Sequence, residues 1–262
     1  MTMKRLIGIL SAFVCFTALP QTILAQKSLS LRLMSINMKE GGSYAGYKAQ
    51  PYVDFIRQYD PDVIVLQEMD NFTTRNGNKD LLTEIASGLN MFPYYSQSFV
   101  YQGGGFGVAV ISKYPYYRAG KVISEPDGAK EPRACGWIYV QLPDGNTVRV
   151  ASVHLAVESE DLRVKNIADY NSELLKEPDV PTLIAGDFNA TPESNTVAYA
   201  RINWQNLGGT TDFTIPSSGP NRRLDYIMGF PKNWSCSLFK VDAQPGLSDH
   251  CCLIADLTYE SE

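Results

Sequence analysis

Apolar and polar positions change rhythm repeatedly along this chain. Residues 31–37 (LRLMSIN) alternate in the manner of a strand lying against a core. Residues 47–59 then place Tyr52, Val53, Ile56 and Tyr59 on one face at helical spacing. Pro61-Asp62 opens a buried strand at 63–68 (VIVLQE), and residues 80–89 predict a second helix. Short strand-like runs follow at 96–102, 107–114 and 121–124. GWIYVQL (136–142) and NTVRVASVHL (146–155) flank Pro143-Asp144-Gly145, which predicts a hairpin with a defined turn. Residues 158–176 form the longest predicted helix, with Leu162, Ile167, Tyr170, Leu174 and Leu175 near helical spacing. TLIAGDFN (182–189) reads as a strand, Pro192 as the start of a short helix, and 208–221 as a loop rich in Gly, Ser and Pro. Runs at 223–229, 235–242 and 251–259 complete the strands. Alternating and fully apolar strands with helices between them predict a layered α/β fold with mixed sheets. No repeat or low-complexity tract interrupts the pattern, so residues 27–262 read as one domain.

The start of the chain follows another rule. Lys4 and Arg5 precede an apolar segment reaching about Leu19, and Ile23-Leu24-Ala25-Gln26 offers a cleavage site. That is the pattern of a signal peptide over residues 1–26, and it predicts export to the periplasm or beyond. The alternative is an N-terminal anchor, for which the apolar run is short. Cys15 follows Val14 inside this run, which argues against lipoprotein attachment. No later segment is apolar enough to cross a bilayer, and a monomer is expected. Removing Lys4 and Arg5 takes the 23 basic residues to 21 against 28 acidic ones, a net charge of −7. A protein that grips nucleic acid through bulk charge is basic, so a phosphate ligand here needs a local basic patch or a metal ion. Cys135, Cys236, Cys251 and Cys252 remain after the leader, either as buried thiols or with one disulfide among them.

The strand exits carry the chemistry. Asn37, Gln67-Glu68, His154, Asp187 with Asn189, and Asp225 stand at such ends, and Asp249-His250 precedes the last strand. Both histidines of the chain fall in this set. Each residue alone has an ordinary structural reading as a turn former, a cap or a paired core group. Their recurrence at strand ends, where α/β folds place their chemistry, favours a shared site. Glu68, Asp187, Asn189 and Asp249 are hard oxygen ligands suited to Mg²⁺ or Mn²⁺. Zinc is poorly served, because the histidines lie far apart and no thiolate is well placed. A carboxylate-bound cation beside histidines suits phosphate-ester hydrolysis, with a carboxylate such as Asp225 setting a histidine tautomer.

MSIN (34–37), VLQE (65–68), SVHL (152–155), AGDFN (185–189), RLDYI (223–227) and LSDH (247–250) occur in one order. In this the chain resembles the endonuclease/exonuclease/phosphatase superfamily with its DNase I-like fold. The resemblance implies a four-layer α/β sandwich, two mixed β-sheets packed face to face with helices outside. It implies Glu68 as the main metal ligand, assisted by Asn37, with Asp249 near the metal. Asp187 and Asn189 would orient water and phosphate. His250, oriented by Asp225, would be general base or transition-state stabiliser, and His154 would meet the scissile phosphate or the leaving group. The family pairs that second histidine with an upstream glutamate, yet SFVYQGGGFG (98–107) contains no acid. Arg133 is a candidate phosphate ligand or a surface ion-pair partner; Tyr101, Phe106 and Trp204 are candidates for a cleft, although aromatic residues at such positions are more often core. The reading is an exported, Mg²⁺-dependent phosphoesterase, foremost a nuclease-like phosphodiesterase with nucleic acid among its substrates. Alternatives are a sphingomyelinase-like phospholipid hydrolase, a phosphorylated-metabolite hydrolase, and a catalytically silent binding module.

Overall fold

The alternation predicted at residues 31–37 extends over ten residues as β1 (Ser28–Asn37). Leu29, Leu31 and Leu33 point to one core and Met34 and Ile36 to another. A strand with apolar groups on both faces must be covered on both, and that requirement builds the fold. The structure is a computed structural model and describes residues 28–261, so the leader predicted over 1–26 lies outside the described residues.

Among the described residues, twelve strands pair into two mixed sheets. The first contains β1, β2 (Val63–Asn71), β3 (Phe92–Tyr101), β4 (Gly104–Ser112), β11 (Trp234–Asp242) and β12 (Cys252–Glu260), in the order β11-β12-β1-β2-β4-β3. The second contains β5 (Tyr116–Ser124), β6 (Arg133–Gln141), β7 (Thr147–His154), β8 (Thr182–Asp187), β9 (Gln205–Asn206) and β10 (Asp225–Phe230), in the order β5-β6-β7-β8-β10-β9. Their inner faces enclose a core that includes Leu33, Val65, Val150, Leu183, Ile227 and Leu253. Helices α1 (Ala49–Arg57) and α2 (Leu81–Leu89) cover the outside of the first sheet through Tyr52, Ile56 and Ile85. Helices α3 (Glu160–Leu174) and α4 (Asn195–Asn203) cover the second through Ile167, Tyr170 and Val197. This is the four-layer DNase I-like sandwich.

Local differences from expectation have local causes. Helix α4 begins at Asn195 rather than at Pro192, because the Ser194 hydroxyl accepts from the Val197 N–H and caps the first turn. Asp80 is likewise the cap of α2, accepting from the Thr83 N–H, and not part of it. The edge strand β3 runs longer than its polar composition suggests, because its ladder to β4 supplies the hydrogen bonds. Cys135, Cys236, Cys251 and Cys252 are all free thiols. Trp204 is 1% exposed, packed on Phe230 and bonded through Nε1 to Asn171, so it is core and not cleft.

One period-two register positions everything that follows. Along β1 the inward positions read Leu29, Leu31, Leu33, Ser35, Asn37, and along β7 Val148, Val150, Ser152, His154. Along β8 they read Leu183, Ala185, Asp187. The inter-sheet core therefore grades from aliphatic to hydroxyl and amide to ionisable at one end of the sandwich. Ser35, Gln67 and Ser152 form the middle layer, with the Gln67 amide donating to Ser152 Oγ at 3.2 Å and Ser152 Oγ donating to the Leu66 carbonyl at 2.9 Å. Those bonds satisfy buried polar groups that would otherwise be costly.

Candidate active site

Above that layer the strand ends converge. The parallel pairing of β7 with β8 sets His154 beside Asp187, and the antiparallel pairing of β8 with β10 sets Asp225 on the other side of Asp187. His154 Nε2 and His250 Nε2 each lie 3.7 Å from Asp187 Oδ2. His250 Nδ1 donates to Asp225 Oδ2 at 2.9 Å, and Thr214 Oγ1 donates to the same oxygen at 2.5 Å. This carboxylate leaves Nε2 as the histidine nitrogen facing Asp187.

The first sheet supplies the opposite wall. A bulge in β2 between Leu66 and Met69 puts Glu68 at φ +54° and re-aims its side chain toward the convergence. The Asn37 amide donates to Glu68 Oε1 and to Asp187 Oδ2, both at 3.2 Å, and so bridges the two sheets. Glu68 Oε2 accepts from the Glu40 N–H at 2.8 Å. Gly186, at φ +144°, has no alternative in AGDFN: a Cβ there would meet the Val153 carbonyl at 2.0 Å. Asn189, at φ +49°, turns the chain after β8, donating its N–H to Asp187 Oδ1 at 2.7 Å and its amide to the Leu155 carbonyl at 3.0 Å.

The electrostatics separate the roles of the two histidines. Burial opposes a charge on His250, but Asp225, Asp187 and Asp249 outweigh it and push the group up to about 10. His154 is held well below the ordinary value by burial first, then by Arg133, His250 and Lys39. At neutral pH the first is an imidazolium and the second a neutral ring. Asp187 is raised above the usual carboxylate range by burial and by Asp225, with His250 opposing. A buried acid between two carboxylates and two imidazoles is a group poised to exchange a proton.

All nine residues expected from the sequence join one network. The partner of His154, which the sequence left open, is now visible: Asp187 and Arg133 flank it, and Arg133 Nη1 sits 3.5 Å from its Nδ1. Arg133 does form an ion pair, its Nη2 reaching the partly exposed Glu131 at 3.3 Å, but it is itself only 5% exposed and its buried Nε lacks a hydrogen-bond partner. Sequence reasoning missed Lys39, whose Nζ lies 3.4 Å from Asp249 Oδ2 and whose ammonium is favoured by Glu68 and Asp249 over the cost of burial. Only its position two residues beyond MSIN would have flagged it. Thr214 was missed as well, because it comes from the 208–221 loop that pattern reading leaves featureless.

The donor set fits a hard divalent cation. Glu68 and Asp187 face each other across a single amide, and the buried Asp249 Oδ1 has no hydrogen-bond partner. Carboxylate and amide oxygens in this arrangement are what Mg²⁺ takes. Asp187, Asp225 and His250 also offer atoms within 4.8 Å of one another. That trio is better satisfied internally, since His250 carries the positive charge itself and is bonded to Asp225.

Relatives place the chain. It is 29% identical over 174 residues to the uncharacterized protein YbhP of Escherichia coli, covering 62% of this chain and 67% of that one. The catalytic domain of human Nocturnin, solved with bound sulfate, superposes with a TM-score of 0.72 at 17% identity, covering 89% of this chain and 97% of that one. A mannosyl-6-phosphatase of Bacteroides thetaiotaomicron superposes with a TM-score of 0.68 at 17% identity, covering 87% and 99%. Residues 34–250 match the model of the Endonuclease/Exonuclease/phosphatase family, a span that begins with MSIN and ends at His250. With the two-sheet sandwich and the polar convergence at one end of it, this match makes the chain a member of the endonuclease/exonuclease/phosphatase family.

Proposed function

We propose that this protein is an exported, divalent-metal-dependent phosphoesterase whose leader occupies residues 1–26 and whose catalytic domain occupies 27–262. The observation that carries the reading is the Asp225–His250–Asp187 relay meeting Asn37 and Glu68 across the two sheets. Glu68, Asn37 and Asp249 would hold the cation, Mg²⁺ or Mn²⁺. When bound, it would neutralise charge on the phosphoryl group and stabilise the leaving oxygen.

The chain's own groups divide the remaining work. Asp187, with its affinity for a proton raised, accepts one from the attacking water, and the Asn189 N–H fixes the other carboxylate oxygen at Oδ1. Of the two roles open to His250, the imidazolium favours transition-state stabilisation. Its Nε2–H donates to a phosphoryl oxygen while Asp225, itself held by the Thr214 hydroxyl, holds the ring. Arg133 brings a guanidinium with an unspent Nε–H beside the neutral His154, and together they receive the remaining phosphoryl oxygens. Relatives of this fold include a mannosyl-6-phosphatase and a sulfate-bound domain, so phosphate monoesters stand beside phosphodiesters as substrates.

Two chromogenic esters, p-nitrophenyl phosphate and its bis-ester, test the reading with the mature chain. Release of nitrophenol with Mg²⁺, abolished by EDTA, is the expected result. Absence of release from both esters by folded protein in millimolar Mg²⁺ or Mn²⁺ would sink it.

A further inference from the structure

Beside Glu68 the surface dips into a cleft of about 120 Å³ that the proposed chemistry leaves unused. Its apolar wall is a cluster of rings. Phe99 lies 5.3 Å from Phe106, and Tyr101 lies 6.2 and 6.3 Å from the two, centroid to centroid. The Arg75 guanidinium covers this wall, 4.7 Å from the Tyr101 centroid and 5.7 Å from that of Phe106. Glu40 and Glu131 line the same space.

The charges in this cleft are arranged against a second phosphate. Arg75 is committed to Asp70, a buried carboxylate it grips at 2.6 and 2.8 Å, so its cation is neutralised where it stands. The Arg133 cation is likewise shared, reaching Glu131 at 3.3 Å. Glu40 remains as an exposed carboxylate whose backbone N–H, not its side chain, serves Glu68. A polynucleotide threaded past the metal ligand would bring its next phosphate against Glu40 and Glu131 with no unshared cation in the cleft. Stacking of a base on Tyr101 would have to overcome that repulsion.

A neutral alcohol meets the opposite situation. Hydroxyl groups donate to the Glu40 and Glu131 carboxylates and accept from Arg75, while ring faces receive the C–H side of a saturated ring. We infer that the natural substrate is a phosphate monoester of an uncharged, polyhydroxylated, sugar-like alcohol, with its ring in the Phe99–Tyr101–Arg75 cleft and its phosphate at Glu68. This rests on the phosphoesterase reading and narrows it away from nucleic acid. The reaction is hydrolysis: water oxygen bonds to phosphorus and the P–O bond to the alcohol breaks. One water proton ends on the leaving oxygen and the other on inorganic phosphate.

The experiment is phosphate release by the mature chain in Mg²⁺ from hexose phosphates and from nucleoside 5′-monophosphates. It is run beside nicking of a supercoiled plasmid, with p-nitrophenyl phosphate as reference. The expected result is a kcat/KM for at least one hexose phosphate about 10-fold or more above that for every nucleotide, with the plasmid intact. Glu40→Gln should raise KM for the hexose phosphate by about 10-fold and change kcat little, as loss of a ground-state hydrogen bond requires. Turnover of the reference ester with no hexose phosphate cleaved, or with nucleotides or plasmid preferred, overturns this inference and leaves the phosphoesterase standing. No turnover of any ester by folded protein overturns both.

Discussion

Two ends of the sandwich are rich in acids, and they handle them differently. At the end remote from the site, Asp256 receives a bidentate grip from Arg32 at 2.6 and 2.8 Å. Asp62 accepts from the Arg32 N–H and the Tyr114 hydroxyl, both at 2.8 Å, and Asp60 pairs with Lys113 at 2.9 Å. Asp256 is lowered by its bond to Arg32. At the other end the Asn37 amide links Glu68 of the first sheet to Asp187 of the second, Asp187 meets both histidines and Asp225 holds His250, and Asp187 is raised. Acids paired with cations hold the fold together; acids gathered without enough cations are held by the fold for another purpose. The shortfall is what a divalent metal would make good.

Breaking the crowded end should have the largest effects. His250→Ala is expected to lower kcat by about 10²–10⁴-fold, the usual range for a positioned proton-transfer or charge-stabilising group. Steady-state rates beside an unchanged circular dichroism spectrum check this, and a wild-type rate would remove His250 from the mechanism. Asp187→Asn should fall in the same range, since the amide cannot take a proton from water. Next comes Glu68→Gln, expected to raise the Mg²⁺ concentration for half-maximal rate by about 10–100-fold. A superimposable metal titration would show that the cation is held elsewhere.

The remote end should respond in stability and not in rate. Its ion pair is one-third exposed, so Asp256→Asn is expected to cost only about 0.2–1 kcal/mol, with kcat/KM unaltered. The sign with pH follows from the lowered Asp256. Its contribution is present above the unfolded-state value of about 4 and disappears as pH falls through the lower folded-state value. Urea melts of wild type and variant should therefore converge on acidification. Curves that stay equally separated at acid pH would assign the effect to packing instead of charge.

This contrast was partly legible in the chain. The strand-end acids and both histidines could be found because period-two alternation ran into polar residues at Asn37, His154 and Asp187, in motifs of recognisable order. The order of strands within the sheets could not, because pairing partners such as β1 with β12 lie more than two hundred residues apart. Lys39, Thr214 and Arg75 stayed hidden for a related reason. Thr214 and Arg75 sit on a loop and a turn and Lys39 opens a four-residue helix, places where no periodicity marks which side chains face inward. Arg133 was noticed but not its relation to His154, which arises only when β6 and β7 pair and set Cys135 opposite Val153. For Trp204 the sequence left cleft and core both open, because an aromatic beside a turn has the same signature whether it lines a cleft or, as here, seals a core.

The most direct test of the metal claim is thermal unfolding with and without millimolar Mg²⁺, for wild type, Asp256→Asn and Glu68→Gln. A cation held only by the folded state raises Tm in proportion to its occupancy. The account predicts equal upward shifts for wild type and Asp256→Asn, and little or none for Glu68→Gln. No shift in the wild type, or an undiminished shift in Glu68→Gln, would contradict a metal centre built on Glu68.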